Sequence, residues 1–315
     1  MRKPLIILTG PTAVGKTALS IRLAQALDGE IISADSMQVY RHMDIGSAKV
    51  TAEEMCGVPH HLIDILDPQE EFNVTVFQSM AKEALGGIYS RGHIPIVAGG
   101  TGFYIQALLY DIDFKENGTD SDIRQELEQL GEEKGKEYLH QLLCKVDPES
   151  ARQIHVNNYK RVIRAIEYYR LTGQQISVHN QQEREKSSPY RFYYYVLNCD
   201  RDLLYERIDR RVDQMIKNGL IKEVEELKKA GCRRGMVSMQ GLGYKEILDY
   251  LDGYCSFEEA VRILKRDTRH FAKRQLTWFR RERAVRWLNL ETFDSSPDQV
   301  LNHILTEFRQ EEANA

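Results

Sequence analysis

The residues Gly10, Pro11, Thr12, Ala13, Val14, Gly15, Lys16 and Thr17 spell GPTAVGKT and fit the spacing G-x-x-x-x-G-K-[ST]. Glycines let backbone N–H groups converge on phosphate oxygens. The start of the following helix adds about half a positive charge, Lys16 supplies a point charge, and the Thr17 hydroxyl can hold Mg²⁺. Such a cradle recognises a diphosphate-bearing group without saying what the phosphate is attached to. Two further stretches could supply chemistry. EIISADSMQVY runs into Asp35, a carboxylate suited to general-base work. IPIVAGGTGFY runs into Thr101, flanked by glycines that would let its backbone and hydroxyl approach a ligand. In LLYERIDRRVDQMIKNGLIKEV, Arg207 and Arg211 stand four apart on one helical face.

These residues need a scaffold that brings them together. PLIILTG, EIISAD and IPIVAGG read as strands, and Lys16 to Leu27 and Phe72 to Arg91 read as helices. This βαβ rhythm predicts a parallel sheet with helices on its faces, a fold in which ligands bind at the carboxyl ends of the strands. From about Phe114 the pattern turns helical, YRFYYYVLNCD then returns to strand, and AVRWLNL is a late strand candidate. The expectation is an α/β core of the P-loop NTPase type over 1–114 and 190–315, carrying a mostly helical insertion over 115–189.

The bulk properties exclude several classes. No run of about 18 apolar residues exists, and the amino terminus lacks the apolar region and cleavage site of a secretory signal, so a cytoplasmic protein is expected. Five cysteines, widely spaced, suggest neither a disulfide framework nor a metal site, and the nine histidines match no familiar metal-ligand spacing. The net charge of −4 argues against a nonspecific nucleic-acid coat, yet the charge is unevenly spread. Between Arg262 and Arg286 ten Lys and Arg face only Asp267 and Glu282. On an ideal helix Arg262, Arg266, Arg269, Lys273 and Arg280 fall within an arc of about 60°, opposite Ala260, Leu264, Phe271 and Trp278. One face packs, and the other is an electrostatic footprint for a phosphate backbone.

At the level of the cradle alone a P-loop kinase of a nucleoside or small metabolite stays open. A kinase needs a further carboxylate at a strand end, for which Asp64 in HHLIDIL is the candidate. The order of GPTAVGKT, ISADSMQVYRHMDIGSAK, VPHHLID, IVAGGTGFYIQALL and AKRQLTWFR over nearly the whole chain closely resembles the bacterial tRNA dimethylallyltransferases, also called tRNA isopentenyltransferases.

That resemblance implies transfer of an isoprenyl group from dimethylallyl diphosphate to the exocyclic amine of the adenine just 3′ of the anticodon, with Mg²⁺. It implies that the cradle binds the diphosphate, that Lys16, Asp35 and Thr101 are catalytic, and that Arg207 and Arg211 form a second phosphate clamp. It also assigns tRNA contacts to Asp35, Ser36, Met37, Gln38 and Thr101, and to Arg124, Lys160, Arg161, Val162, Ile163 and Arg164 of the insertion. Further contacts fall on Gln240, Gly241, Leu242, Gly243 and Tyr244, and on Arg269, Lys273, Arg274, Gln275, Trp278 and Arg280. The partner is then the tRNA anticodon stem-loop, with no membrane, and the protein is expected to be a monomer. Two features depart from the pattern: Lys160-Arg161 stands where a Gln-Arg pair is anticipated, and the zinc finger of eukaryotic relatives is missing. His60 and His61 could touch substrate or serve the fold.

Overall fold

The structure is a computed structural model describing residues 2–114 and 121–314. It divides into two compact units, one formed by Met1–Leu109 with Pro189–Ala315 and the other by Tyr110–Ser188. Position 115, where the insertion was expected to begin, lies outside the described residues.

The first unit is built on a six-stranded sheet of β1 (Pro4–Thr9), β2 (Gly29–Ala34), β3 (His60–His61), β4 (Ile94–Gly99), β5 (Arg191–Asn198) and β6 (Val285–Asn289). Its order is β3-β2-β4-β1-β5-β6, and every pairing is parallel. Parallel sheets are covered on both faces, which explains why β1 is almost continuously apolar and why β1 and β2 are buried nearly throughout. The aromatic run Tyr193, Tyr194 and Tyr195 is buried on β5 for the same reason, with Tyr193 donating to Glu312 Oε1 at 2.5 Å. The covering helices are α1 (Lys16–Leu27), α2 (Val74–Ser90) and α3 (Gly102–Leu109). Later in the chain come α9 (Arg201–Lys217), α10 (Leu220–Lys229), α11 (Tyr244–Leu251), α12 (Phe257–Phe279) and α13 (Pro297–Ala313). Helix α2 starts two residues later than periodicity suggests because Asn73 caps it, accepting from the N–H groups of Thr75 and Val76.

Register carries the functional consequence. Thr9 of β1 and Ala34 of β2 both pair with Gly99 of β4, so these three strands end in one row. The Thr9 hydroxyl secures that row by donating to the Gly99 carbonyl at 2.6 Å. The chain leaving β1 at Gly10, the chain leaving β2 at Asp35 and the chain leaving β4 at Gly100 therefore emerge side by side.

The second unit comprises α4 (Ser121–Lys134), α5 (Lys136–Val146), α6 (Pro148–Gln153), α7 (Tyr159–Thr172) and α8 (Ile176–Glu185). Leu127, Leu139, Leu143, Val162, Ile163 and Ile166 form its own core. Asp147 is a buried joint, accepting from the backbone and hydroxyl of both Ser150 and Ser177.

Candidate active site

The row of strand ends opens into a cavity of about 480 Å³ whose walls include Lys16, Thr17, Asp35, Ser36, Thr101 and Arg211. A second concavity, lined by Gly15, Lys16, Thr17, Glu54, Arg207 and Arg211, adjoins the same helix end. Lys16, Thr17 and Arg211 belong to both, whereas Arg207 belongs only to the second.

The loop between β1 and α1 behaves as its spacing predicts. Helix α1 begins at Lys16 after Gly15 in the left-handed region, with no side chain among the described residues capping its first turn. The free N–H groups of that turn and the helix dipole make an anion site. Lys16 Nζ donates to the carbonyl oxygens of Gly10 at 3.1 Å and Pro11 at 2.9 Å. Desolvation by burial first, and the nearby Arg211 guanidinium second, lower its pKa to about 7 against the opposing pull of Asp35. Arg211 is itself held below its ordinary pKa by burial. It forms no ion pair among the described residues. A desolvated, unpaired guanidinium beside a desolvated ammonium is a poor arrangement for a protein on its own and a good one for a polyanionic ligand.

Asp35 serves two purposes with two oxygens. Oδ1 accepts from the N–H groups of Met37 at 2.8 Å and Gln38 at 3.3 Å, the local turn expected of an Asp-Ser pair. Oδ2 has no hydrogen-bond partner among the described residues, and the residue lines the cavity. Thr101 N–H donates to Ala34 O at 3.1 Å, which ties the β4 loop to the end of β2 while the Thr101 side chain remains in the cavity wall. Tyr104, one turn on in α3, also lines the cavity. Burial first, and then Tyr40 and Asp35, push its phenol pKa up, so it stays a neutral hydroxyl.

The segment after Asp35 is held from outside. Glu223 of α10 accepts from the N–H groups of Asp44 (2.9 Å), Ile45 (2.7 Å) and Gly46 (3.1 Å). It also takes the Tyr244 hydroxyl at 2.8 Å, and that hydroxyl accepts from Ser47 N–H. Lys49, nearly buried, donates to Tyr40 O at 2.6 Å and to Asp44 Oδ1 at 2.5 Å, and it pairs with Asp64. Asp64 is therefore the partner of a buried ammonium in the loop beyond β3, and not the strand-end metal carboxylate that a kinase would use. His61 donates its ring to the same sheet edge, bonding Glu30 Oε2 at 2.7 Å, whereas His60 lines the cavity with Nδ1 on Val58 O.

Several residues expected at the nucleic acid have side chains buried against protein. Val162 and Ile163 are 1% and 2% exposed in the insertion core, and apolar side chains packed there have no surface to offer RNA. Tyr244 is 0% exposed, and its hydroxyl is engaged by Glu223 and Ser47. Gln275 is also buried, with both ends of its amide bonded to protein.

The basic helix is more neutral than its sequence suggests. Arg262 is bidentate on Glu259, Lys265 pairs with Asp213, Arg266 with Asp267, and Arg269 with Asp209 at 2.6 and 2.7 Å. Its buried face is Ala260, Leu264, Ala272, Gln275 and Phe279, so Phe271 and Trp278 lie at the flank. Trp278 packs over Gly102, where a Cβ would overlap the indole, and meets the Phe103 ring at 6.0 Å. Lys273, Arg274, Arg280, Arg281 and Arg283 are exposed and form no ion pair among the described residues, which confines the free positive charge to the carboxyl-terminal half. Gln240, Gly241 and Leu242 line the cavity, with Gly241 close against Met37. Gln38 donates its amide to Ala48 O at 3.3 Å. In the insertion Arg124 and Arg164 share Glu167 as acceptor, at 3.0 and 3.2 Å, while Lys160 and Arg161 are exposed.

Comparison with known proteins agrees with this geometry. Residues 38–282 match a family model described as IPP transferase, and residues 3–66 match one described as isopentenyl transferase. The tRNA dimethylallyltransferase of Lachnoclostridium phytofermentans is 62% identical over 93% of this chain and 94% of its own. A solved full-length tRNA isopentenylpyrophosphate transferase from Bacillus halodurans superposes with a TM-score of 0.74 at 46% identity, covering 99% of both chains. A eukaryotic dimethylallyltransferase acting on tRNA gives 0.81 at 30% identity, over 98% of this chain and 80% of its own. With its fold, its phosphate cradle and nearly its full length matched in this way, the chain belongs to the IPP transferase family.

Proposed function

We propose that the protein is a tRNA dimethylallyltransferase. It moves the dimethylallyl group of dimethylallyl diphosphate to the exocyclic amine of the adenosine 3′-adjacent to the anticodon. The observation that carries this reading is the single row of strand ends that sets the phosphate cradle, Asp35 and Thr101 around one cavity with Arg211. The commitment of Asp64 to Lys49 weighs against a kinase.

The reaction is a displacement. The amine nitrogen bonds to the allylic carbon, the carbon–oxygen bond to diphosphate breaks with its electron pair, and the amine loses one proton. Asp35 Oδ2 takes that proton, since the nitrogen becomes acidic only as it bonds to carbon. The leaving diphosphate gathers negative charge, which the N–H groups of the cradle, Lys16 and Arg211 stabilise, with Arg207 at the outer edge. Thr101 orients the amine or the diphosphate from the opposite side. Magnesium fits the remaining donors: the Thr17 hydroxyl is exposed at the helix start and forms no side-chain hydrogen bond among the described residues. Mg²⁺ favours one protein oxygen supplemented by phosphate oxygens and water. When bound there it neutralises charge on the diphosphate.

A stacked adenine cannot reach the cavity, so the base is turned out at a cost of roughly a few kcal/mol and gripped by Ser36, Met37, Gln38 and the Gln240–Leu242 loop. Lys273, Arg274 and Arg280 hold the RNA backbone from α12, with Arg269 and Trp278 beside them, and Arg124, Lys160, Arg161 and Arg164 do so from the insertion. The protein acts as a monomer. An anticodon substrate implies work in the cytoplasm, and among the described residues no helix is long and apolar enough to cross a membrane.

Offering labelled dimethylallyl diphosphate and γ-labelled ATP separately with unmodified tRNA tests the donor. Label is expected to enter RNA only from the prenyl donor, and ATP consumption without prenyl transfer would contradict the reading. A proton measurement tests the cradle. The free site holds Lys16 near pKa 7, and a bound dianion raises it again, so binding takes up a proton wherever pH lies above the free and below the bound value. Calorimetry at pH 8 in buffers of different ionisation enthalpy should therefore show uptake approaching about one proton. Affinity should weaken as pH rises above 7, and the uptake should vanish in Lys16→Met.

A further inference from the structure

Gln275 of α12 sits between two loops that the reaction uses. It is 6% exposed, and both ends of its amide are hydrogen-bonded. Oε1 accepts from Thr12 N–H in the phosphate cradle at 2.9 Å, and Nε2 donates to the Gly100 carbonyl at 2.9 Å. A primary amide can do both because it carries an acceptor and a donor on one planar group. The approach is close enough that a Cβ at Gly100 would overlap the amide nitrogen. Thr12 and Gly100 follow neighbouring strands β1 and β4, so one side chain from a residue 175 positions beyond Gly100 latches the diphosphate loop to the loop bearing Thr101.

We propose that Gln275 is a positioning residue for prenyl transfer and not an RNA contact. A displacement needs the attacking nitrogen, the carbon and the leaving oxygen in line. The oxygen is held by one loop, and the amine is held by Asp35 and Thr101 next to the other. A slip between the loops lowers the rate of the bond exchange while each substrate keeps its own contacts. The free cations Lys273 and Arg274 flank this residue on the exposed side of the same helix, so the element that meets RNA also fixes the spacing of the two loops.

The proposal rests on the transferase reading, and wild-type transfer in the same assay separates the two. Inactive wild type counts against that reading, whereas active wild type with unaffected variants counts against the latch. Gln275→Ala is expected to lower kcat roughly 10–100-fold, with KM for tRNA and for the donor within about threefold of wild type. An unchanged kcat with a raised KM for tRNA would make Gln275 an RNA contact and overturn the proposal. Gly100→Ala pushes on the latch from its other end and should reproduce the kcat loss. In the double variant the clashing amide is gone, so it should be no slower than the slower single, and multiplied losses would overturn the proposal. Gln275→Glu, the variant to use should alanine not yield folded protein, keeps the acceptor for Thr12 and regains a donor for Gly100 only when protonated. Its kcat relative to wild type should rise as pH falls from 8 to 6, and a flat ratio would count against the latch.

Discussion

Asp35→Asn is expected to lower kcat for prenyl transfer by about 10²–10⁴-fold without weakening the binding of inorganic diphosphate. The choice of asparagine matters. Its amide oxygen can still accept from Met37 and Gln38 N–H, the role that Oδ1 fills, so the turn after β2 persists and only the proton acceptor is removed. Removing a negative charge from the cavity also removes a repulsion against the diphosphate, which offsets the support that Asp35 gives to the charge on Lys16. Asp35→Ala loses the turn as well and should fall at least as far. Single-turnover rates with saturating tRNA, set beside the dissociation constant of inorganic diphosphate, measure the two effects independently. An asparagine variant within about threefold of wild type would remove Asp35 from the role of base.

The second large effect is expected at Arg211. Arg211→Gln should lower kcat/KM by about 10²–10³-fold, the loss found when one charge-stabilising donor is taken from a desolvated site. Arg211 borders both concavities and forms no ion pair among the described residues, Asp35 acting on it without direct contact, so its charge is available to the leaving group. Arg207 borders only the outer concavity, and Arg207→Gln should cost about tenfold or less. Arg211 is also one of the causes that hold Lys16 near pKa 7. In Arg211→Gln the Lys16 pKa should rise, and the proton uptake on donor binding at pH 8 should shrink. A variant that loses rate but keeps the full uptake would place Arg211 outside the electrostatic unit formed with Lys16.

The parts of this site that were legible in the sequence are those whose chemistry is local. GPTAVGKT carries its turn, its helix start and its cations within eight residues, and Asp35 and Thr101 sit directly after apolar strands, so the parallel fold alone brings them to one edge. The contacts that were not legible act across the chain. Glu223 lies in LIKEVEELKK like any solvated acid of an amphipathic helix, yet it collects three backbone N–H groups from a loop nearly 180 positions away. Gln275 and Thr12 are separated by 263 positions, and no local pattern marks either as the other's partner. The basic stripe carries less free charge than its own residues imply for the same reason, because Asp209 and Asp213, which neutralise Arg269 and Lys265, belong to the distant α9. Val162 and Ile163 illustrate the opposite error: they stand beside cations on α7, but helical spacing turns them to the insertion core.

The central claim is that the cradle grips a leaving diphosphate beside a base-flipped adenine, and one measurement addresses it most directly. Unmodified tRNA is incubated with the protein, magnesium and dimethylallyl diphosphate without ATP, released diphosphate is quantified, and the RNA is digested to nucleosides. The expected result is isopentenyladenosine from the position 3′ of the anticodon, formed in equal amount with diphosphate. Diphosphate released without prenylated adenosine, or no reaction with a tRNA that the protein binds, would contradict the account.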